Sequence, residues 1–178
     1  MTTIRPAQPA DREFVLGMAD RLVSFDVPAF RSKDELAEGD RRALAEWFRE
    51  PKPGEALFVA EVDGRQAGCA YLVTLIDYFN DRAHAHLSVL AVTAEAEGKG
   101  VGSALLDRSQ AWAREHGSDR LTLSALVTMT ACAFLTPRID MHRCSASTTT
   151  ITPRGSRNSI RASAIWVVSR SCTWGRRA

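Results

Sequence analysis

Glycine recurs at alternate positions in Glu97-Gly98-Lys99-Gly100-Val101-Gly102-Ser103, between an apolar strand-like run and an amphipathic helix-like run. Glycine admits positive φ and lets a ligand come close to the main chain. The N–H groups that open a helix have no acceptor within it, and the helix dipole favours negative charge at that end. Such a loop is an anion cradle, and phosphate is its natural occupant. Two nucleotide-binding spellings do not fit. A Walker loop closes on Gly-Lys-Ser/Thr, and no lysine follows Gly102. The dinucleotide fingerprint needs a third glycine where Ser103 stands, and a βαβ unit around it. The plainer alternative is a turn that only caps a helix, for which one or two glycines suffice.

Candidate acid–base groups stand on the strand before this loop. Period-two alternation along the run ending at Val92 puts His86, Ser88, Leu90 and Val92 on one face. His86 and Ser88 are therefore the candidate catalytic residues, able to line a ligand and relay a proton through water. The competing reading has His86 on a strand edge and Ser88 satisfying a backbone group. His84 is expected to face solvent, and His116, at a helix end, to complement the dipole. Cys69, Cys132, Cys144 and Cys172 contain no Cys-x-x-Cys pair and no histidine at finger-like spacing, so no metal site is expected. Cys69 reads as a small core residue.

The elements that must position these groups follow from periodicity and punctuation. Thr2–Arg5 forms a short strand closed by Pro6 and Pro9. Asp11 then caps a helix with Phe14, Val15, Met18, Leu22 and Phe25 at helical spacing, broken at Pro28. Ser32 with Glu35 is a capping box opening a second helix through Leu36, Leu44, Trp47 and Phe48, stopped by Pro51 and Pro53. Leu57–Val62 is a strand, Asp63-Gly64 a tight turn, and Gln66–Ile76 the returning arm of a hairpin. Leu87–Val92 is largely apolar and so central to its sheet. The helix over residues 100–116 carries Val101, Ala104, Leu105 and Trp112 on one side and ends at Gly117; Arg120–Val127 is again strand-like. The order is that of a mixed α/β domain with a ligand loop at a strand-to-helix junction.

A chain of 178 residues suits one domain, and its hydrophobic fraction of 45% is enough for a real core. The net charge of +2 gives no general attraction to nucleic acid or to an acidic membrane, and no apolar run approaches membrane-spanning length. A cytoplasmic protein is the expectation. The charge is unevenly spread, however. Beyond Leu126 there is no lysine and one acid, Asp140, amid many Arg, Ser and Thr. A shift this sharp marks a boundary or a different origin for the segment, with residues 1–127 as one domain and 128–178 as a basic tail, poorly ordered or only partly packed.

Glu97 to Leu106, with Leu90-Ala91-Val92 before it, resembles the acetyl-CoA signature (Arg/Gln-x-x-Gly-x-Gly/Ala) of the GNAT superfamily of acyl-CoA N-acyltransferases. The resemblance runs from about Thr3 to Val127 and includes Ile4-Arg5-Pro6-Ala7 and Trp112-Ala113-Arg114-Glu115-His116-Gly117. It implies an α/β fold with a central twisted mixed sheet flanked by helices. The implied reaction moves an acetyl group from acetyl-CoA, as co-substrate, directly to a primary amine. By resemblance, Leu90, Ala91 and Val92 lie on a strand that splays from its neighbour and pairs with the pantetheine arm. A backbone N–H near Val92 would polarise the thioester carbonyl. Glu97, Gly98, Lys99, Gly100, Val101, Gly102 and Ser103 take the pyrophosphate, chiefly through main-chain N–H groups.

Two departures stand out. Glu97 occupies a position where arginine or glutamine is usual. The family's tyrosine acid, within Asn-x-x-Ala-x-x-Phe-Tyr, aligns with Leu135 after Ala131 and Phe134, and no tyrosine follows Tyr78. Pro137 interrupts the helix expected there. Residues 128–178 thus read as an incomplete or irregular C-terminal β-α-β part. Two origins fit: a shifted reading frame, in which loss of one base turns Asn-Asp codons into the Met129-Thr130 pair, or an authentic basic tail. Loss of edge strands there would expose sheet edges.

Three activities follow in order. The first is an acetyl-CoA-dependent N-acetyltransferase acting on a small amine, a peptide N-terminus or a lysine. The second is a coenzyme A-binding relic without the tyrosine acid. The third is a nucleic-acid-binding protein using the tail arginines, which form no helical stripe. A membrane partner is not expected, and a homodimer is an open assembly.

Overall fold

The computed structural model describes residues 1–23, 32–78, 80–126, 144–148 and 167–173. Its centre is a seven-stranded sheet of order β1-β2-β3-β4-β5-β7-β6, with β1 Thr2–Pro6, β2 Glu55–Val62, β3 Arg65–Ile76, β4 Ala83–Val92, β5 Arg120–Leu126, β6 Cys144–Thr148 and β7 Val167–Thr173. Only β4 and β5 run parallel; every other neighbouring pair is antiparallel. The β4–β5 step needs a crossover, and helix α4, Val101–Glu115, supplies it. The strand expected to be central, β4, is the fourth of the seven.

Helices cover both faces of the sheet. Helix α4 lies on one, where Val101, Leu105, Leu106 and Trp112 pack against Phe58, Ala70, Leu72, Ala85 and Leu87. On the other lie α1 Arg12–Gly17, α2 Ala19–Leu22 and α3 Lys33–Arg49. There Val15, Met18 and Leu44 meet Leu57, Val59, Cys69, Tyr71, Val89 and Ala91. Cys69 is fully buried, as a small core residue should be.

Local signals act where they were expected. The Ser32 hydroxyl accepts from the Glu35 N–H at 3.0 Å, and the Glu35 carboxylate accepts in return from the Ser32 N–H at 3.4 Å. Asp63 and Gly64 both take positive φ, which the two-residue turn between β2 and β3 demands. Gly117 ends α4 at φ 71°.

Three expectations are corrected. The first helix is broken at Met18 into α1 and α2, and Phe25 lies outside the described residues. Asp11 stands at the N-cap of α1 but its side chain makes no cap bond. It is buried and accepts instead from Arg5 at 2.7 and 2.8 Å, from Gln66 at 2.6 Å and from the Gln8 N–H at 2.7 Å, tying β1 to β3. His84 is buried rather than solvent-facing, because β5 places Arg120 beside it. Beyond β5 the sheet continues: β7 pairs with β5 along Leu126↔Val167 to Arg120↔Thr173, and β6 pairs with β7. The run Ile165–Val168 marks the start of β7, although Ile165 and Trp166 themselves lie outside the described residues. The Ser/Thr-rich β6 has no apolar alternation that would announce it.

Candidate functional site

Strand β4 leaves its parallel neighbour part-way along. Ala85 pairs with Leu121, His86 with Thr122 and Leu87 with Leu123, and the pairing ends there. Leu90, Ala91 and Val92 still pair on their other edge with Ala70, Cys69 and Gly68 of β3. The Thr93 N–H donates to Ala67 O at 2.9 Å, towards β3. Backbone groups alternate in direction along a strand, so those of Leu90 and Val92 point the opposite way, into the opening between β4 and β5. Among the described residues no strand answers them.

A bulge governs what the side chains do. Tyr71 pairs with Val89 and Leu72 with Leu87, so Ser88 is an extra residue in β4. The insertion inverts the alternation. Before it, Ala85 and Leu87 face α4; after it, Leu90 and Val92 do, while Val89 and Ala91 turn to the α1–α3 side. The expected common face of His86, Ser88, Leu90 and Val92 is therefore corrected: His86 lies across the sheet from Leu90 and Val92. Ser88 is exposed at the bulge.

On that second face His86 is half-buried, its Nδ1 2.8 Å from Thr122 Oγ1. Burial, and secondly His84, lower its pKa from the ordinary 6.5, so the ring is held neutral at neutral pH. His84 is lowered as well, first by burial and then by Arg120. Its Nδ1 lies 3.4 Å from Arg120 Nη2, and Arg120 is paired with Asp77. His116 is exposed, stacks on Trp112 and has Nδ1 2.9 Å from Trp112 O, in the last turn of α4.

The glycine loop follows β4 through a 3-10 turn over Ala94–Ala96. Gly98 and Gly100 take φ 74° and 81°, a conformation that resists any side chain. The N–H groups of Glu97 and Lys99 turn inward, to Ala94 O and Ala96 O, both at 3.3 Å. Gly100 is the N-cap of α4, and no side chain caps the helix. The first-turn N–H groups, at Val101, Gly102 and Ser103, therefore lack a helical acceptor. Gly102 has an ordinary φ, and a Cβ there would meet only Val92 Cγ2, at 3.6 Å. Lys99 is exposed. Glu97 is not isolated: its carboxylate lies 2.5 Å from Arg21 Nη2 of α2.

Sequence reasoning did not single out Thr122, Arg21 or Gly68. The first two are brought in by distant segments and carry no motif. Gly68 could have been noticed, since glycine inside a strand marks a close approach. A Cβ there would stand 2.6 Å from Ala91 O and 3.2 Å from Leu105 Cδ1. The segment aligned with the tyrosine acid, including Ala131, Phe134 and Leu135, lies outside the described residues. Of the two tyrosines, Tyr71 is buried under α1–α3 and Tyr78 is exposed after β3. A cavity of about 550 Å³ at α3, lined by Glu35, Glu38, Asp40 and Arg42 among others, is mostly acidic and does not suit an anion. Among the described residues no cluster could hold a metal ion, and no helix is long and apolar enough to cross a membrane.

The family model for the acetyltransferase (GNAT) family matches residues 19–136. No curated protein matches the sequence. Among solved structures, a GCN5-related N-acetyltransferase from Rhodopseudomonas palustris is 19% identical with TM-score 0.67, over 98% of this chain and 96% of that one. YncA from Salmonella typhimurium, solved with its cofactor acetyl-CoA, is 18% identical with TM-score 0.67, over 100% and 96%. PaiA N-acetyltransferase from Thermoplasma acidophilum, in complex with coenzyme A, is 14% identical with TM-score 0.65, over 98% and 99%.

Proposed function

Because the chain belongs to the acetyltransferase (GNAT) family, we propose that it is an acetyl-CoA-dependent N-acetyltransferase that moves the acetyl group directly to a primary amine. The observation that carries this reading is the opening of the sheet after Leu87, next to an uncapped helix start. An extended pantetheine arm carries amide groups that can pair with the outward backbone of Leu90 and Val92, as a short strand would. Its diphosphate then reaches the N–H groups of Val101, Gly102 and Ser103. The positive φ of Gly98 and Gly100 shapes the loop around it.

For the chemistry, the acceptor must be a neutral amine with its nitrogen lined up on the thioester carbon. Holding both substrates in one opening contributes several kcal/mol to lowering the barrier. The outward N–H of Val92 is placed to receive the carbonyl oxygen as negative charge builds on it. The new N–C bond forms as the C–S bond breaks, and the amine proton must leave. His86 is neutral, half-buried and held by Thr122, and it faces the α1–α3 side from the paired half of β4. It accepts that proton through water, with the exposed Ser88 hydroxyl ordering the water at the bulge. Since Leu135 supplies no phenol, the departing thiolate is protonated by water.

Calorimetric titration with acetyl-CoA, followed by free-thiol release across a panel of small amines, peptide N-termini and lysine peptides, tests the proposal. Binding with amine-dependent thiol release is expected. Binding without release reduces the protein to a coenzyme carrier, and absence of binding removes the whole reading.

A further inference from the structure

The loop that is to receive a diphosphate presents a carboxylate, Glu97, immediately before its first glycine. An anion there opposes an anionic ligand. Arg21, from a helix on the other side of β4, lies against it: Nη2 to Oε1 is 2.5 Å. Helix α2 packs across β4, which brings the Arg21 side chain to the end of the strand where the loop begins. Both partners are partly solvated, with 37% of the Arg21 and 62% of the Glu97 side chain exposed. Exposed pairs of this kind contribute little and are readily exchanged. A guanidinium offers five N–H donors in a planar fork, well matched to the oxygens of a phosphate.

We infer that Arg21 is a diphosphate-binding residue of the loop, stored on Glu97 and transferred to the coenzyme when it binds. The inference rests on the coenzyme reading above. The exchange has a definite direction. The diphosphate carries more charge than one carboxylate, and a guanidinium shared among all three anionic groups would leave them crowded together. Glu97, mostly exposed, has solvent to turn into once Arg21 leaves. The cation that a phosphate site needs at this position thus comes from α2 rather than from the loop. The exchange also makes the α2 segment responsive to the coenzyme, because one side chain serves both.

The test is calorimetric titration of wild type, Arg21→Met, Arg21→Lys, Glu97→Gln and the double variant Arg21→Met/Glu97→Gln with coenzyme A and dephospho-coenzyme A, alongside thermal melts. Arg21→Met is expected to weaken coenzyme A by about tenfold or more, the loss of one charge-assisted contact. Arg21→Lys should restore part of it. Glu97→Gln should tighten binding severalfold, and less so in the Arg21→Met background, where no pair has to be broken. The effects should be the same with dephospho-coenzyme A, since the diphosphate is common to both. Wild type that binds neither ligand overturns the coenzyme reading itself. Wild type that binds, with Arg21→Met unchanged in affinity, overturns this inference alone. So does a loss confined to coenzyme A, which would put Arg21 on the 3′-phosphate. Equal weakening by Arg21→Met and Glu97→Gln, tracking lowered melting temperatures, would make the pair a structural tie and also overturn it.

Discussion

Replacing Gly102 with glutamate should move stability and coenzyme binding in opposite directions. Gly102 is the second residue of α4, its φ is not positive, and an added Cβ meets one methyl of Val92 at an ordinary 3.6 Å. The side chain can therefore be built without strain. Removing a helical glycine gains up to about 1 kcal/mol in propensity, and an acid in the first turn gains about 0.3–1 kcal/mol against the dipole. A net gain of about 1 kcal/mol raises the melting temperature of a domain this size by about 2–4 °C.

On the proposed function, the same carboxylate faces the incoming diphosphate. Two unit charges about 5 Å apart, at an effective dielectric of about 20, repel by about 3 kcal/mol. That corresponds to roughly a hundredfold loss of acetyl-CoA affinity. The assay is a thermal melt paired with calorimetric titration, at low and high salt, with Gly102→Gln to separate charge from bulk. Salt should recover part of the lost affinity in the glutamate variant, because the site is open to screening. A more stable protein that binds acetyl-CoA as wild type does would refute the placing of the diphosphate at this helix start. A lower melting temperature would refute the unstrained geometry assigned to Gly102.

Gly68→Ala should destabilise the protein by about 1–3 kcal/mol in urea unfolding, because the new Cβ meets a backbone carbonyl, Ala91 O, that cannot swing aside. It should also weaken acetyl-CoA, since Ala91 and Val92 must shift; unchanged stability would contradict the 2.6 Å approach. Asp11 is held at a pKa of about 2, below its ordinary 3.8, first by its bond from Arg5. Its contribution is therefore complete above about pH 4 and lost as pH falls towards about 2, and Asp11→Asn should remove that part of the acid-unfolding curve. If His86 takes the proton, kcat/KM should fall as pH drops through a midpoint below 6.5, and His86→Gln should lose that limb and about a hundredfold or more in rate. An unaltered pH profile in His86→Gln would move the base elsewhere. Sequencing the gene across the codons for residues 126–131 should reveal a one-base loss whose repair restores an Asn…Phe-Tyr…Gly pattern; a repaired frame without that pattern leaves the tail authentic.

What the chain spells locally, it spells legibly. Ser32 with Glu35, Asp63 with Gly64, and Gly117 each act through neighbours a few residues away, so no fold is needed to read them. The glycine loop is legible for the same reason, since its N–H groups come from consecutive residues. The bulge at Ser88 is not, because it exists only relative to β3: nothing in His-Ala-His-Leu-Ser-Val-Leu says that Leu87 and Val89 will face Leu72 and Tyr71. Strict alternation then assigns every side chain beyond it to the wrong side. Arg21 and Glu97 are 76 residues apart, and Asp11 and Gln66 are 55 apart. Polar partners at such separations follow from packing, not from spelling. The break at Met18 is likewise invisible in the apolar spacing, which runs straight through from α1 to α2.

That single extra residue in β4 explains why the two halves of the candidate site can differ in character. Before Ser88 the strand is bound on both edges, and its outward face carries His86 beside Thr122, a fixed and shielded place for a titratable ring. After Ser88 the strand keeps β3 but loses β5, so its backbone becomes available while its side chains are taken up by packing. Leu90 and Val92 go under α4, and Val89 and Ala91 go under α1–α3. A regular strand would have kept His86 on the face of Leu90 and Val92, under the helix that begins at the glycine loop. The inversion instead puts His86, the proposed proton acceptor, on one side of the sheet and α4, the proposed diphosphate-binding helix, on the other, with the opening between β4 and β5 as the passage joining them. Transfer through a sheet requires such a passage, because amine and coenzyme can then approach the same carbonyl from opposite faces without competing for space.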